Sequence, residues 1–322
     1  MLLILSRLFL FIMAGAQLSG LLVSAKHHRT RPACKELTTR VEWNTLTEQE
    51  KADYFAAELC LLAAPAQTSI ADVASRYGDL VSPSSTYVFN GKLRLVLLSL
   101  QILTLVIQVH RYYVFAHETL LRTECGYTGA LPYWNEVVDA GTFSASPVVL
   151  DFGGEGTEEN NWAVVDGPFA NLTLYLGPGT TNTVHPLTRQ ANESVQAGQQ
   201  FVDAQLAIDT FAAFKDTMRP GLHFAGHKGV GGEMGNVVTS PNDPIFWLHH
   251  GYVDYIWWKW QGDNETRIHD LQEIGYETQR EPDTGYVETT ADTVLYSYDV
   301  LPNATVGDML DTKRGFLCYT YV

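Results

Sequence analysis

Three histidines in the second half of the chain have the spacing to share one metal ion. In His223-Phe-Ala-Gly-His227 two imidazoles stand four residues apart, so on a helix they share a face one turn apart. The third, His250, lies within Asn242-Asp-Pro-Ile-Phe-Trp-Leu-His-His-Gly-Tyr-Val-Asp254. Neutral imidazoles with no cysteine among them suit copper, zinc, iron or nickel. A mononuclear zinc hydrolase is the poorer fit, because no glutamate stands between His223 and His227 to serve as a base. Two helices supplying three imidazoles to one ion describe a metal site in a bundle core.

The helix carrying His250 has its own start signal. Asp243 suits an N-cap and Pro244 the first helical position, and Ile245 to Trp260 is apolar on most faces, as in a buried helix. Upstream, Thr47 followed by Glu50 reads as a capping box opening a helix that runs through Cys60 to about Ala63. Residues 111–123 form another helical pattern, ending near Gly126, and a further one covers Val195 to Lys215. Residues 139–194, rich in Gly, Thr, Asn and Pro, read as a long irregular connection. After Gln261 the chain is acidic, turn-rich and less periodic. The expected fold is therefore mainly α: a helical bundle core with long irregular loops. With 322 residues, 46% of them hydrophobic, the chain can bury one large core or two small ones. The net charge of −15 argues against a nucleic-acid or anionic-membrane partner.

Leu222 to Gln261 resembles the second copper-binding half of tyrosinases and catechol oxidases, the type-3 dicopper phenol oxidases. That resemblance places copper on His223, His227 and His250. It makes His249 a neighbour of the ligand, and it pairs Asp254 with Arg111 across two helices. Val109-His-Arg-Tyr-Tyr-Val-Phe-Ala-His-Glu118 and Leu120-Leu-Arg-Thr-Glu-Cys-Gly-Tyr-Thr-Gly-Ala-Leu-Pro-Tyr-Trp134 are similar to short fungal members, so His110 corresponds to the last ligand of the first copper. The implied activity is oxidation of o-diphenols, or related phenols and aminophenols, to o-quinones, with O2 reduced to water and two copper ions as cofactor. The implied partners are a small phenol and O2. Many tyrosinases carry Asn just after the first ligand of the second site, where this chain has Phe224; that leans toward a catechol oxidase or aminophenol oxidase. Tyr319 and Tyr321 match the Tyr-x-Tyr that closes the family's core domain, which implies no shielding domain after it.

The first copper site departs from the family. Its two other histidines would fall near Gln101 and Leu93, and no histidine occurs between His28 and His110. Residues 87–109 are anomalous: Lys92 to Val109 is leucine-rich, without Pro or Gly, and unlike its flanks. Three accounts fit it: a faulty gene model, a genuine relative holding one copper with impaired catalysis, or a membrane segment. The last conflicts with Lys92, Arg94 and Gln108, and no stable span is expected. His117 is two helical turns from His110, about 10 Å, too far for both to bind one ion, and suits an aromatic core. His185 and His269 sit in polar loops and are expected to be solvated; His27 and His28 lie near a cleavage point. A dioxygen carrier like a haemocyanin shares the dicopper site and stays a rival reading, as does the single-copper pseudoenzyme.

Residues 1–25 read as a signal peptide: Arg7 precedes the apolar run Leu8 to Met13, and Ala14-Gly-Ala16 and Val23-Ser-Ala25 offer small-x-small cleavage sites. Residues 26–322 would then be the copper-binding domain of a secreted protein. The sequons at Asn171, Asn192, Asn264 and Asn303 agree with that route and with glycosylation. Cys34, Cys60, Cys125 and Cys318 are an even set, consistent with two disulfides in one of three connectivities. One of the bridges would use Cys318 to tie the C-terminus to the core.

Overall fold

The computed structural model describes residues 31–89, 105–179, 181–277 and 285–322. The signal-peptide reading and the positions of Leu93 and Gln101 lie outside the described residues. Local signals account for the helix ends. Helix α1 (Glu48–Ala63) starts at a capping box in which Thr47 and Glu50 satisfy each other's backbone amides. After α2 (Arg76–Phe89) comes α3 (Val106–Cys125), which stops at Gly126 in the left-handed conformation that closes many helices. Helix α3 begins one turn before the sequence pattern suggests. Val106, Ile107, Gln108 and Val109, from the end of the anomalous stretch, form its buried first turn. A short α4 (Pro147–Asp151) interrupts the irregular middle of the chain.

The pattern over 195–215 resolves into two helices, α5 (Gln199–Leu206) and α6 (Phe211–Met218). Two interactions account for the break. Thr210 turns out of the helix and its hydroxyl accepts from Ala213 N, while the Ile208 carbonyl accepts from Trp260 Nε1 at 2.6 Å. A cap and a tertiary bond thus override the 3.6-residue periodicity. A single π-turn, Arg219–His223, leads into α7 (Phe224–Val230). Helix α8 (Ile245–Gly262) is buried on nearly all faces. Asp243 is extended, its carbonyl accepts from Phe246 N, and its carboxylate accepts from Ile245 N at 3.0 Å, so it caps α8 as expected.

Helices α3, α7 and α8 surround the aromatic core, and α1 packs on α3 from outside. Strands are short. Strand β1 (Thr38–Glu42) pairs in parallel with β2 (Pro132–Tyr133) and with β7 (Tyr319–Tyr321), bringing Thr38 opposite Tyr319. Two antiparallel pairs lie in loops: β3 (Thr173–Leu174) with β4 (His185–Pro186), and β5 (Val294–Leu295) with β6 (Ala304–Thr305). The disulfides are Cys34–Cys318, beside the β1–β7 pair, and Cys60–Cys125, joining α1 to α3. No described helix is long and apolar enough to cross a membrane.

Candidate metal centre

Local geometry brings His223 and His227 together, and tertiary packing brings His250 to them. His227 Nε2 lies 3.2 Å from His223 Nε2 and 3.2 Å from His250 Nε2. The other ring nitrogens fix the tautomers. His227 Nδ1 donates to the Met234 carbonyl at 2.8 Å and His223 Nδ1 to the Arg219 carbonyl at 3.4 Å. A carbonyl only accepts, so both Nε2 atoms present lone pairs to the centre. Burial, followed by the neighbouring imidazoles, holds His223, His227 and His250 well below the usual histidine range, so all three stay neutral. Lone pairs facing one another at 3.2 Å repel unless a cation lies between them. Nitrogens bound at ~2.0 Å around one tetrahedral ion stand ~3.3 Å apart, close to the separation that His227 Nε2 keeps from both its partners, and all the cluster's ligand atoms lie within 4.8 Å of one another.

His249 brings a fourth imidazole. The four residues offer atoms all within 4.8 Å of one another. His249 Nδ1 bonds Glu136 Oε1 at 2.5 Å, a fully buried carboxylate–imidazole pair beside the trio. Burial drives the two partners in opposite directions: the His249 imidazole falls to about 3, and the Glu136 carboxyl rises, helped by Asp139. Gly226 makes room for this pair. A Cβ there would sit 2.2 Å from His249 Nδ1 and 2.5 Å from Glu136 Oε1. Sequence reasoning missed Glu136 and Gly226. Glu136 carries no local signal, and the only hint of Gly226 was a glycine inside a helical histidine motif.

His110 lies beside the trio. Its ring stacks on that of His250 with centroids 3.9 Å apart and planes 10° apart, and its Nδ1 donates to the Val106 carbonyl. Burial is the main reason its imidazole falls to about 3. His117 is a core residue: Nε2 meets Glu58 at 2.7 Å and the ring stacks on Trp247. His185 departs from the expectation of a solvated loop. It is half-buried on β4, donates from Nδ1 to the Thr183 carbonyl, and holds Nε2 3.6 Å from the buried Glu233. The β3–β4 pairing, invisible in composition, is what draws it inward. His269 is exposed, as are all four sequon asparagines.

The frame behind the histidines is a buried ion network. Arg111, next to His110, pairs through Nε with Asp254 Oδ1, one turn from His250, and its guanidinium lies 3.5 Å from the centre of the Trp257 ring. The hydroxyls of Tyr319 and Tyr321 donate to Asp254 Oδ2, each at 2.6 Å. Arg40, absent from the sequence reading, bonds Asp254 at 3.1 Å and Glu118 at 3.0 Å. Strand β1 thus inserts one cation between α3 and α8. A second unforeseen pair, Arg189 with Asp243, anchors the start of α8 through two bonds of 2.8 and 2.9 Å. Above the trio lies a cavity lined by His110, His223, His227 and the apolar Val106, Phe224, Met234 and Phe246.

This chain matches the common central domain of tyrosinase over residues 105–263. It is 29% identical to the tyrosinase ustQ of Aspergillus flavus over 317 residues, covering 91% of this chain and 81% of that one. It is 30% identical to the oxidase hkm6 of Aspergillus hancockii over 264 residues, covering 66% of this chain and 91% of that one. Among solved structures, a variant of polyphenol oxidase from Thermothelomyces thermophila superposes with a TM-score of 0.76 at 26% identity, covering 91% of each chain. The matched stretch opens at the first turn of the helix that holds His110 and closes just past the end of the one that holds His250, and the chain belongs to the tyrosinase family of oxidases.

Proposed function

We propose that this protein binds copper on His223, His227 and His250 and oxidises o-diphenols to o-quinones with O2. The observation that carries the proposal is the meeting of three neutral imidazoles at the separation one bound ion requires. Copper, when bound, supplies the redox chemistry: two diphenols lose two electrons and two protons each, and one O2 becomes two waters. The chain's own residues bind and orient. The carbonyls of Arg219 and Met234 hold two ligand rings, Glu136 holds His249 against them, and Arg111 with Asp254 fixes α3 to α8. Val106, Phe224, Met234 and Phe246 give the cavity apolar walls suited to an aromatic ring. Phe224 cannot hold a water by hydrogen bonds, which favours diphenols or aminophenols over monophenols. We assign residues 1–25 as a leader and 26–322 as a secreted, glycosylated domain. The two disulfides suit an oxidising compartment.

His110 is assigned to the first copper. One observation favours a second reading, a single-copper relative with impaired catalysis: no histidine lies between His28 and His110 to complete that site. Metal analysis of the purified chain, with oxygen uptake on catechol, separates the two. Two coppers per chain with uptake support the oxidase, one copper without uptake supports the second reading, and no bound copper refutes both. Alanine at His223, His227 or His250 should abolish binding at the trio, and full occupancy in all three variants would sink the assignment.

A further inference from the structure

Of the four sequon asparagines, Asn192 alone borders the cavity over the histidines. A surface groove is lined by Asn192, Glu193, Gly231 and Gly232, and Lys228 and Gly235 line both that groove and the metal cavity. Asn171, Asn264 and Asn303 line neither. Hydrogen bonds fix Asn192 in this place. Its backbone N–H donates to the Gly229 carbonyl at 2.9 Å, and Gln190 N donates to the Val230 carbonyl at 3.1 Å, so the loop is tied to the end of α7. The Glu193 carboxylate accepts from Phe143 N and Ser144 N, at 2.5 and 2.9 Å, and pins the middle of the sequon. Asn192 Oδ1 accepts from Ser194 N at 3.0 Å and from Ser194 Oγ at 2.6 Å. That leaves Nδ2, on an exposed side chain, without a partner among the described residues. A Cβ on Gly235 would meet nothing nearer than the His227 carbonyl at 3.9 Å, so packing does not demand glycine there. Its bare backbone leaves the way between groove and cavity open.

We infer that Asn192 carries an N-linked sugar, and that this sugar narrows the approach to the metal cavity, admitting small free phenols and shutting out phenols borne on a polymer. The inference rests on the reading above of a secreted, glycosylated phenol oxidase. The modification replaces one Nδ2–H of the amide by a bond from Nδ2 to the anomeric carbon of the sugar. That carbon's bond to the diphosphate of a lipid-linked oligosaccharide breaks, the lipid diphosphate leaves with the electron pair, and the amide proton is lost to a base. The sugar is bulky and hydrated. A small phenol passes beside it without displacing it. A polymer that follows its phenol to the cavity must push the sugar aside and order it, and ordering a few flexible groups costs on the order of tenfold in affinity.

The test starts with mass spectrometry of glycopeptides from the chain secreted by a fungal host, which should show a sugar on Asn192. Equilibrium binding to the copper-loaded glycoprotein without O2, followed by tryptophan fluorescence, then compares 4-methylcatechol with the same catechol tethered through its methyl carbon to dextran. Asn192→Gln and Ser194→Ala both remove the sequon. Each should leave the affinity for the free catechol unchanged and tighten the tethered one on the order of tenfold. Ser194→Thr keeps the sequon and should match the unmodified chain. Asn264→Gln removes a sequon away from the cavity and should also match it. If the sequon variants are not secreted, enzymatic release of the sugar from the folded glycoprotein takes their place, with the same tightening expected. A ratio of the two affinities that stays the same when the sugar on Asn192 is lost overturns the inference and leaves phenol oxidation standing. An unmodified Asn192 beside sugars on other sequons overturns the inference and leaves the secreted reading standing. Absence of sugar from all four sequons overturns the glycosylated reading and the inference together. Failure of the free catechol to bind overturns the phenol-oxidase reading and the inference with it.

Discussion

Replacing Gly226 by alanine should damage the metal site without unfolding the protein. The new Cβ would fall 2.2 Å from His249 Nδ1, about 1.2 Å inside the 3.4 Å at which ordinary contact begins. It would also meet Glu136 Oε1 at 2.5 Å. Both neighbours are fully buried, so neither can swing into solvent. Either the Glu136–His249 bond opens, or α7 moves away from α8 by roughly 1 Å. Metal ligands tolerate displacements of ~0.2 Å, so the second response separates His223 and His227 from His250 beyond what one ion can bridge. The first response removes a supporting bond of the kind worth ~10–100-fold in metal affinity. Overpacking costs about 1–3 kcal/mol, while glycine to alanine inside a helix returns about 1 kcal/mol. The net loss of stability is therefore small beside the loss of copper. Gly262, near the end of α8, is the control: a Cβ there meets nothing within 4 Å. Copper titration against a competing chelator should show at least tenfold weaker binding for Gly226→Ala and no change for Gly262→Ala. Thermal unfolding of the metal-free proteins should place Gly226→Ala slightly below the unmodified chain and Gly262→Ala at or above it. Copper affinity in Gly226→Ala equal to that of the unmodified chain would refute the reasoning.

Asp254→Asn should cost about 3–5 kcal/mol, because it leaves Arg40 and Arg111 buried without their shared counter-charge; denaturant titration checks this, and a loss below ~1 kcal/mol would refute it. Acid should act through the same network. Burial alone would raise the Asp254 carboxyl, but Arg111, Arg40 and the two tyrosine hydroxyls outweigh it and hold the group below its usual range. Glu118 is likewise held down by Arg40 and Arg122 against burial. For carboxyls depressed in the folded state, the stabilisation is complete above the unfolded values near pH 4 and is lost as pH falls through the folded ones. Stability against urea should thus drop below about pH 4, with a shallower slope in Asp254→Asn; equal slopes would count against these groups. Replacing Cys60 and Cys125 together by serine opens a loop with a sequence separation of 65 and should cost about 4 kcal/mol by chain entropy, measured as a lower unfolding midpoint under conditions that keep Cys34–Cys318 oxidised.

The trio was legible in the sequence because its chemistry rests on local geometry. Four residues make one helical turn, so His223 and His227 face one way wherever the helix lies, and the cap at Asp243 set the start of the helix that carries His250. Family resemblance supplied the Arg111–Asp254 pair, and the structure buries it. The residues that were not legible all act across sequence distances that no periodicity spans. Arg40 reaches Asp254 from 214 residues away, Glu136 reaches His249 from 113, and Arg189 reaches Asp243 from 54. A buried charge needs a partner, but which distant segment provides one depends on how helices and strands stack. The same holds for the break at 207–210, set by Trp260, and for His185, drawn inward by a strand pair. The sequence by itself determined the candidate metal-ligating residue types, their spacing and the helical class. Only the tertiary structure decided which groups hold those ligands in place, because their contacts are made by packing between segments far apart in the chain.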